Sequence, residues 1–409
     1  MSCTLRYGTD SLARLDFAEG ALVCDCADPP NTPVRDLRSA VADALATPLD
    51  YPSLARSTTP GDRVVLSLEA GFSQSGPIAS AVIGSMIAAG VHADGISVLR
   101  SQADRDAGIG DPRPWLPSEV NDRIHNVVHD PDCRRDLAYL AATREGDAIH
   151  LNRALVEADV VVPISCCHGR STPGYYGLCG AVFPTFSDQR TIRRYRSPSS
   201  LDARARPKRA PGKLAAEVGW LLGITLAVQA VPGPGDAILH VVAGEAGAVA
   251  RRAGSLYAAA WSRSVPRQAS LVVAAVEGGS QQQTWQNLAR ALATAGPLVE
   301  EGGAIALACD LQTQPGPALR KLADAEARPE AMRWIRKELP EDALVATLLD
   351  HVLRRNKVYL LSRLDESLVE GLEIAPMSRA DELRRLVGRF PSCIVLRNAP
   401  HAIVEMEDA

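Results

Sequence analysis

The first 207 residues of this 409-residue chain contain no lysine; the first is Lys208. Chemistry that relies on a lysine side chain is therefore excluded from the N-terminal half. Net charge is also small: 44 basic and 48 acidic residues leave -4, too little to create a field that draws nucleic acid or an anionic membrane. Long apolar runs are missing as well. The best, VGWLLGITLAVQAV at 218 to 231, is ended by Pro232 and falls short of the roughly 18 to 20 residues that cross a bilayer. The opening MSCTLRYGTDSLARLDF has no charged stretch leading into a long apolar one, so neither secretion nor mitochondrial import is signalled and a cytoplasmic location is expected. Nine cysteines without regular spacing read as reduced thiols rather than a disulfide framework. PGPGD and EGGS match neither a phosphate loop nor a strand-linked G-x-G-x-x-G, which leaves nucleotide binding without independent support.

What is present is a regular alternation. Short β-branched runs, RVVLSL (63–68), GISVLR (95–100), HNVVHD (125–130) and DVVVPI (159–164), are separated by alanine- and leucine-rich stretches. IASAVIGSMIAAG (78–90) has the small-residue helical pattern and terminal glycine of a crossover helix. A second series follows, with LVVAAVEGG, TWQNLARALATAG, GGAIALACDL, KVYLLSRL and SCIVLR. The fold class expected is α/β, two domains with largely parallel sheets and an interdomain cleft. Pro266 and its polar neighbours interrupt the two series, which sets the expected division at 1–264 and 268–409.

The segment from His150 to Arg196 carries the strongest signal. It reads HLNRALVEADVVVPISCCHGRSTPGYYGLCGAVFPTFSDQRTIRRYR, with an LNR turn, an apolar run, then His168 before a glycine-bearing loop. With GDRVVLSL upstream, and GITLAVQAVPGPGDAILHVVAGE, EGGSQQQTWQNLARAL and VEEGGAIALACDL downstream, it resembles the lactate racemase family over most of the chain. The resemblance implies inversion of a 2-hydroxy acid by reversible hydride transfer to a nickel-pincer nucleotide tethered through lysine, with two histidines alternating as acid and base. His168 stands where one of those histidines is expected, and imidazole suits the role. Trp285 and Gln286 match an aromatic-Gln pair at the entry to the second domain.

Five other positions depart from the pattern that the resemblance implies. The second histidine is replaced by SQADRDAG, where Arg105 falls nearest, and a guanidinium does not accept protons near neutral pH. The loop that should carry the tether reads Gly177-Leu-Cys-Gly-Ala-Val-Phe-Pro184, with Cys179 but no amine. Arg196 occupies the place of a nickel-binding imidazole and would repel a cation. An Asp-x-Thr-Arg turn appears as Glu69-Ala-Gly-Phe-Ser73, without its arginine. In the second domain Ala289 replaces a lysine, and Arg290 beside it is turned by about 100° on a helix.

Plainer readings stand beside these. Cys166, Cys167, His168 and Cys179 converge too poorly for a tetrahedral metal, so no metal site is expected; small buried or loop cysteines are the simpler account. Trp285 on its residues alone is a packing side chain. The basic run 189–209, QRTIRRYRSPSSLDARARPKR, is either an anion site or a solvated loop. Two functional readings remain open. One is a lactate-racemase-like isomerase of a 2-hydroxy acid, with His168 as base and an altered hold on its cofactor. The other is a catalytically retired paralogue that binds a small anion in the cleft as a sensor or partner subunit. Both place a small anion or hydroxy acid in the cleft, with Glu69, Ser73, Arg105, Gly177, Cys179, Arg196, Trp285, Gln286 and Arg290 around His168.

Overall fold

A computed structural model of the chain describes residues 1–143, 146–195 and 211–407. Strand Val64–Leu68 is buried at every position, because helices cover both faces of its sheet and an alternating pattern has no solvent side to serve. That sheet runs in the order Ile238–Glu245, Leu226–Pro232, Val160–Cys166, Val64–Leu68, Ile96–Ser101, His125–His129. All neighbours are parallel except the edge pair Leu226–Pro232 and Ile238–Glu245, which is antiparallel. Helix Ser75–Ala88 packs Ile78, Val82, Ile83 and Met86 into the core beneath it, each such side chain contributing about 1.5–3 kcal/mol. Gly90, at φ +104, takes the chain out of the helix in a conformation open to glycine.

The chain builds this sheet outward from Val64–Leu68 to His125–His129, then returns to the opposite side of its first strand at Val160–Cys166. The direction of winding therefore reverses between Val64–Leu68 and Val160–Cys166. In doubly wound sheets the crevice at the carboxyl ends of the strands flanking such a reversal is the ligand position. Glu69 follows one of those strands and His168 the other.

A second, wholly parallel sheet has the order Ala375–Met377, Lys357–Leu361, Val299–Ala308, Ala269–Ala275, Cys393–Leu396, Leu22–Cys26. Winding reverses here between Ala269–Ala275 and Cys393–Leu396, and the turn after the latter carries His401. Every strand expected from the sequence is present within a few residues, as is the α/β class with largely parallel sheets. The sheets do not follow the division into 1–264 and 268–409, however. Leu22–Cys26 pairs with Cys393–Leu396, and the antiparallel hairpin Ser2–Tyr7 with Ser11–Asp16 buries Leu5, Ala13 and Leu15 against Leu271 and Val273. The first 26 residues thus pack with the second sheet, where their apolar face finds cover. Across the expected break, Ser262–Val265 pairs with Ile403–Met406, and Pro266 sits in the turn that follows. No helix among the described residues is long and apolar enough to cross a membrane.

Candidate active site between the two sheet ends

The two reversal points face one another across a cavity of about 60 Å³ whose wall includes Glu69, Cys166, His168, Arg290 and His401. That is room for roughly four or five waters. Glu69 and His168 come from the first sheet; Arg290 and His401 come from the second. The backbone N–H of Cys166 donates to Glu69 Oε2 at 2.6 Å, which fixes the carboxylate at the strand ends. Nδ1 of both His168 and His401 is buried without a hydrogen-bond partner. The two rings stack at 5.9 Å with an 18° tilt, and the Trp261 ring lies 5.3 Å from His401. Tyr257 Oη holds the turn by donating to the His401 carbonyl at 2.6 Å.

Arg290 reaches this wall because of how its helix is built. Thr284 caps helix Trp285–Ala295 by accepting from the Asn287 N–H, a contact that typically contributes about 1 kcal/mol. Leu288, Ala291, Leu292 and Ala295 are buried in the second core, at the i, i+3, i+4, i+7 spacing of one face. Asn287 and Arg290, three apart, share the other face and line the cavity. The guanidinium is held loosely there. Nε donates to the Pro173 carbonyl at 3.3 Å and Nη1 to Asn287 Oδ1 at 3.4 Å.

Burial sets the electrostatics. It pushes the Glu69 carboxyl up to about 7, against the Cys166 N–H and the Arg290 charge, which pull it down. Burial, reinforced by Arg290 and His401, holds the His168 imidazole well below its ordinary range. Burial and then Arg290 bring His401 down to about 4, so both rings are neutral at pH 7. Burial also lowers Arg290, yet Glu69 and Tyr257 favour its charge, and a guanidinium stays protonated at neutral pH. The Cys166 thiol is raised well above its usual value by burial, then by Glu69 and Cys167, and Cys167 is raised to about 12, chiefly by burial. Neither is a thiolate at neutral pH. Among the described residues no cluster of histidine, cysteine and carboxylates is arranged to hold a metal.

Of the site residues expected from sequence, Glu69, Ser73, His168 and Arg290 meet at this cavity, joined by Cys166, whereas Arg105, Gly177, Cys179, Trp285 and Gln286 do not line it. Arg105 is exposed and paired with Asp106 at 2.7 Å. Trp285 is 8 % exposed in the second core, its indole N–H given to the Thr313 carbonyl at 2.8 Å. Gln286 donates to the Pro173 carbonyl at 3.4 Å, a tie across the cleft behind the cavity. Gly177, at φ +77, opens the short turn Leu178–Ala181. Cys179 faces helix Pro211–Leu221, its Sγ filling the place a Cβ on Gly219 would need. Arg196 and most of the basic run lie outside the described residues; Arg190 lines a separate groove, and Arg194 pairs with Asp147. Sequence reasoning missed His401 and Asn287. For His401 a signal existed, since it follows the SCIVLR strand at a carboxyl end, where function concentrates in this architecture.

Two doubly wound sheets with their reversal points turned toward one shared cavity define a two-sheet α/β protein with a cavity in the cleft. Residues 7–206 match the lactate racemase N-terminal domain, which places that part of the chain in the lactate racemase family. Its fold is similar to that of the lactate racemase apoprotein from Thermoanaerobacterium thermosaccharolyticum, with a TM-score of 0.81 at 13% identity over 99% of this chain and 100% of that one. It is also similar to a Thermotoga maritima protein solved in a structural-genomics programme, with a TM-score of 0.62 at 11% identity over 91% of this chain and 97% of that one. No curated protein matches the sequence.

The lysine-tethered nickel-pincer nucleotide that the family implies does not fit the residues at its attachment loop. The loop has no amine. Its one sulfur is turned onto Gly219, and Leu178, Ala181, Val182 and Phe183 are packed as core. The four described lysines, Lys213, Lys321, Lys337 and Lys357, are all exposed and none lines the cavity.

Proposed function

We propose that this lactate racemase-like protein binds a small 2-hydroxy acid in the cleft, docking its carboxylate on Arg290, and has given up the family's nickel-pincer inversion. The observation that carries the reading is Arg290 itself. Its guanidinium lines the cavity with only two long hydrogen bonds to neutral oxygens, and such a fork takes up a carboxylate bidentately. Two neutral imidazoles and Glu69, near half protonation at pH 7, are then the groups at hand for the ligand's hydroxyl.

Loss of inversion is supported by the absent tether and by Arg105, which stands nearest the second histidine's place yet lies on the surface paired with Asp106. The presence of His168 at the cavity favours the second reading, an isomerase that holds its cofactor without lysine. One preparation decides between them: protein purified from its own host, or beside the cofactor-making enzymes, is assayed for nickel, visible absorption and lactate racemisation, and titrated with lactate. Lactate binding without nickel or racemisation is the expected result. Stoichiometric nickel with a chromophore would overturn the loss of the family chemistry.

A further inference from the structure

We propose that Glu69 takes up a proton when a ligand carboxylate docks on Arg290, so that the cleft binds a 2-hydroxy acid together with one proton from solvent. The inference rests on the carboxylate-binding role of Arg290 proposed above and adds a stoichiometry to it. Its basis is a count of charges in a confined space. The cavity holds about 60 Å³, and among the described residues Arg290 is the one cation in its wall that stays charged at neutral pH. Glu69 already faces that charge from the opposite sheet. A ligand carboxylate brought into the same space adds a further anion beside Glu69 and Asp236 for that one guanidinium, a situation in which one carboxyl keeps its proton.

The proton goes to Glu69 for a geometric reason. One of its oxygens, Oε2, accepts the Cys166 N–H, and Oε1 has no partner among the described residues. A proton there makes Glu69 an O–H donor to the ligand. The ligand's own carboxylate is then left to Arg290, where it gains the stronger charge-assisted pair. The titratable groups that face Glu69 are Asp104 from helix Gln102–Asp106, Cys166, Cys167, His168 and Tyr175 at the end of the first sheet, Asp236 from the turn between its edge strands, and Arg290 and His401 from the second sheet. Asp104 and Asp236 add negative charge, and both thiols, the phenol and both imidazoles are neutral at pH 7. Burial has brought the Glu69 carboxyl to about 7 before any ligand arrives, whereas His401 would have to climb from about 4. Glu69 needs the smaller push.

Titration calorimetry of the full chain with L- and D-lactate, at pH 6, 7 and 8 in two buffers of different ionisation enthalpy, reads the proton directly. Uptake should be about half a proton at pH 7, rising toward one at pH 8 and falling toward zero at pH 6, with affinity dropping up to tenfold per unit above pH 7. Glu69→Gln should bind with no uptake, more tightly than wild type at pH 8, and with affinity flat from pH 6 to 8. An infrared difference spectrum of the wild type should gain a protonated-carboxyl band on adding lactate, a readout that does not depend on the variant folding. Binding without uptake, or uptake that survives in Glu69→Gln, overturns this inference alone. No lactate binding at any pH overturns it together with the proposed function.

Discussion

His168 and His401 stack at 5.9 Å across the cleft, although 233 residues of chain separate them and each belongs to a different sheet. Neither ring has a hydrogen bond at Nδ1, and Arg290 disfavours protonation of both. Both rings are therefore favoured in their neutral form in the folded state.

That neutrality gives a pH prediction. Burial, then Arg290, lowers His401 from its ordinary 6.5 to about 4 when folded, so between those values the unfolded chain binds a proton that the native state refuses. The stability that His401 contributes is complete above pH 6.5 and is lost as pH falls toward 4, a change on the order of 3 kcal/mol. His401→Asn should cost stability at pH 7 and lose much of that deficit by pH 4.5, as measured by urea denaturation at both. An equal deficit at the two values would show that His401 does not titrate.

Glu277 predicts the opposite slope. Burial, then Asp28, raises its carboxyl to about 7, with Oε1 unpartnered and Arg6 3.9 Å away. A folded value above the unfolded 4.5 means that its contribution is intact below pH 4.5 and is lost as pH rises through 7. Glu277→Gln should gain roughly 1–3 kcal/mol over wild type between pH 5 and pH 8. Denaturant midpoints of the pair at both pH values test this, and parallel shifts would rule it out.

How much of this was legible beforehand differs between fold and site. Strands such as Val64–Leu68 and Val160–Cys166 are apolar at nearly every position, and that pattern is local. Leu22–Cys26 is not local in the same sense: its place beside Cys393–Leu396 depends on a partner some 370 residues away. The site divides in the same manner. Glu69 and His168 end strands whose order could be read along the chain, whereas Arg290 against Ala289 is a matter of helix rotation that only the buried face of Trp285–Ala295 decides. Arg105 and Cys179 were located by their place in a pattern, and packing turned both away from the cavity.

Trp285 separates packing from recognition. Its ring is core and its N–H is given to Thr313, so Trp285→Ala should cost about 3–5 kcal/mol and Trp285→Phe much less, the latter leaving lactate affinity within twofold. A large loss of affinity in a fully folded Trp285→Phe protein would return this residue to the site.

Arg290 tests the binding site from the other side. Its two long hydrogen bonds to neutral oxygens contribute little, and its charge is buried at a cost. Arg290→Met, similar in length and apolar, should therefore keep or slightly raise the melting temperature while lactate binding falls by a hundredfold or more, since a charge-assisted pair contributes about 3 kcal/mol when desolvated. Arg290→Lys should recover only part of the affinity, because an ammonium offers a point charge where a fork is needed. Calorimetry beside thermal melting separates the two effects. If Arg290→Met binds lactate like wild type, the carboxylate docks elsewhere; if it melts far lower with binding lost, Arg290 is structural.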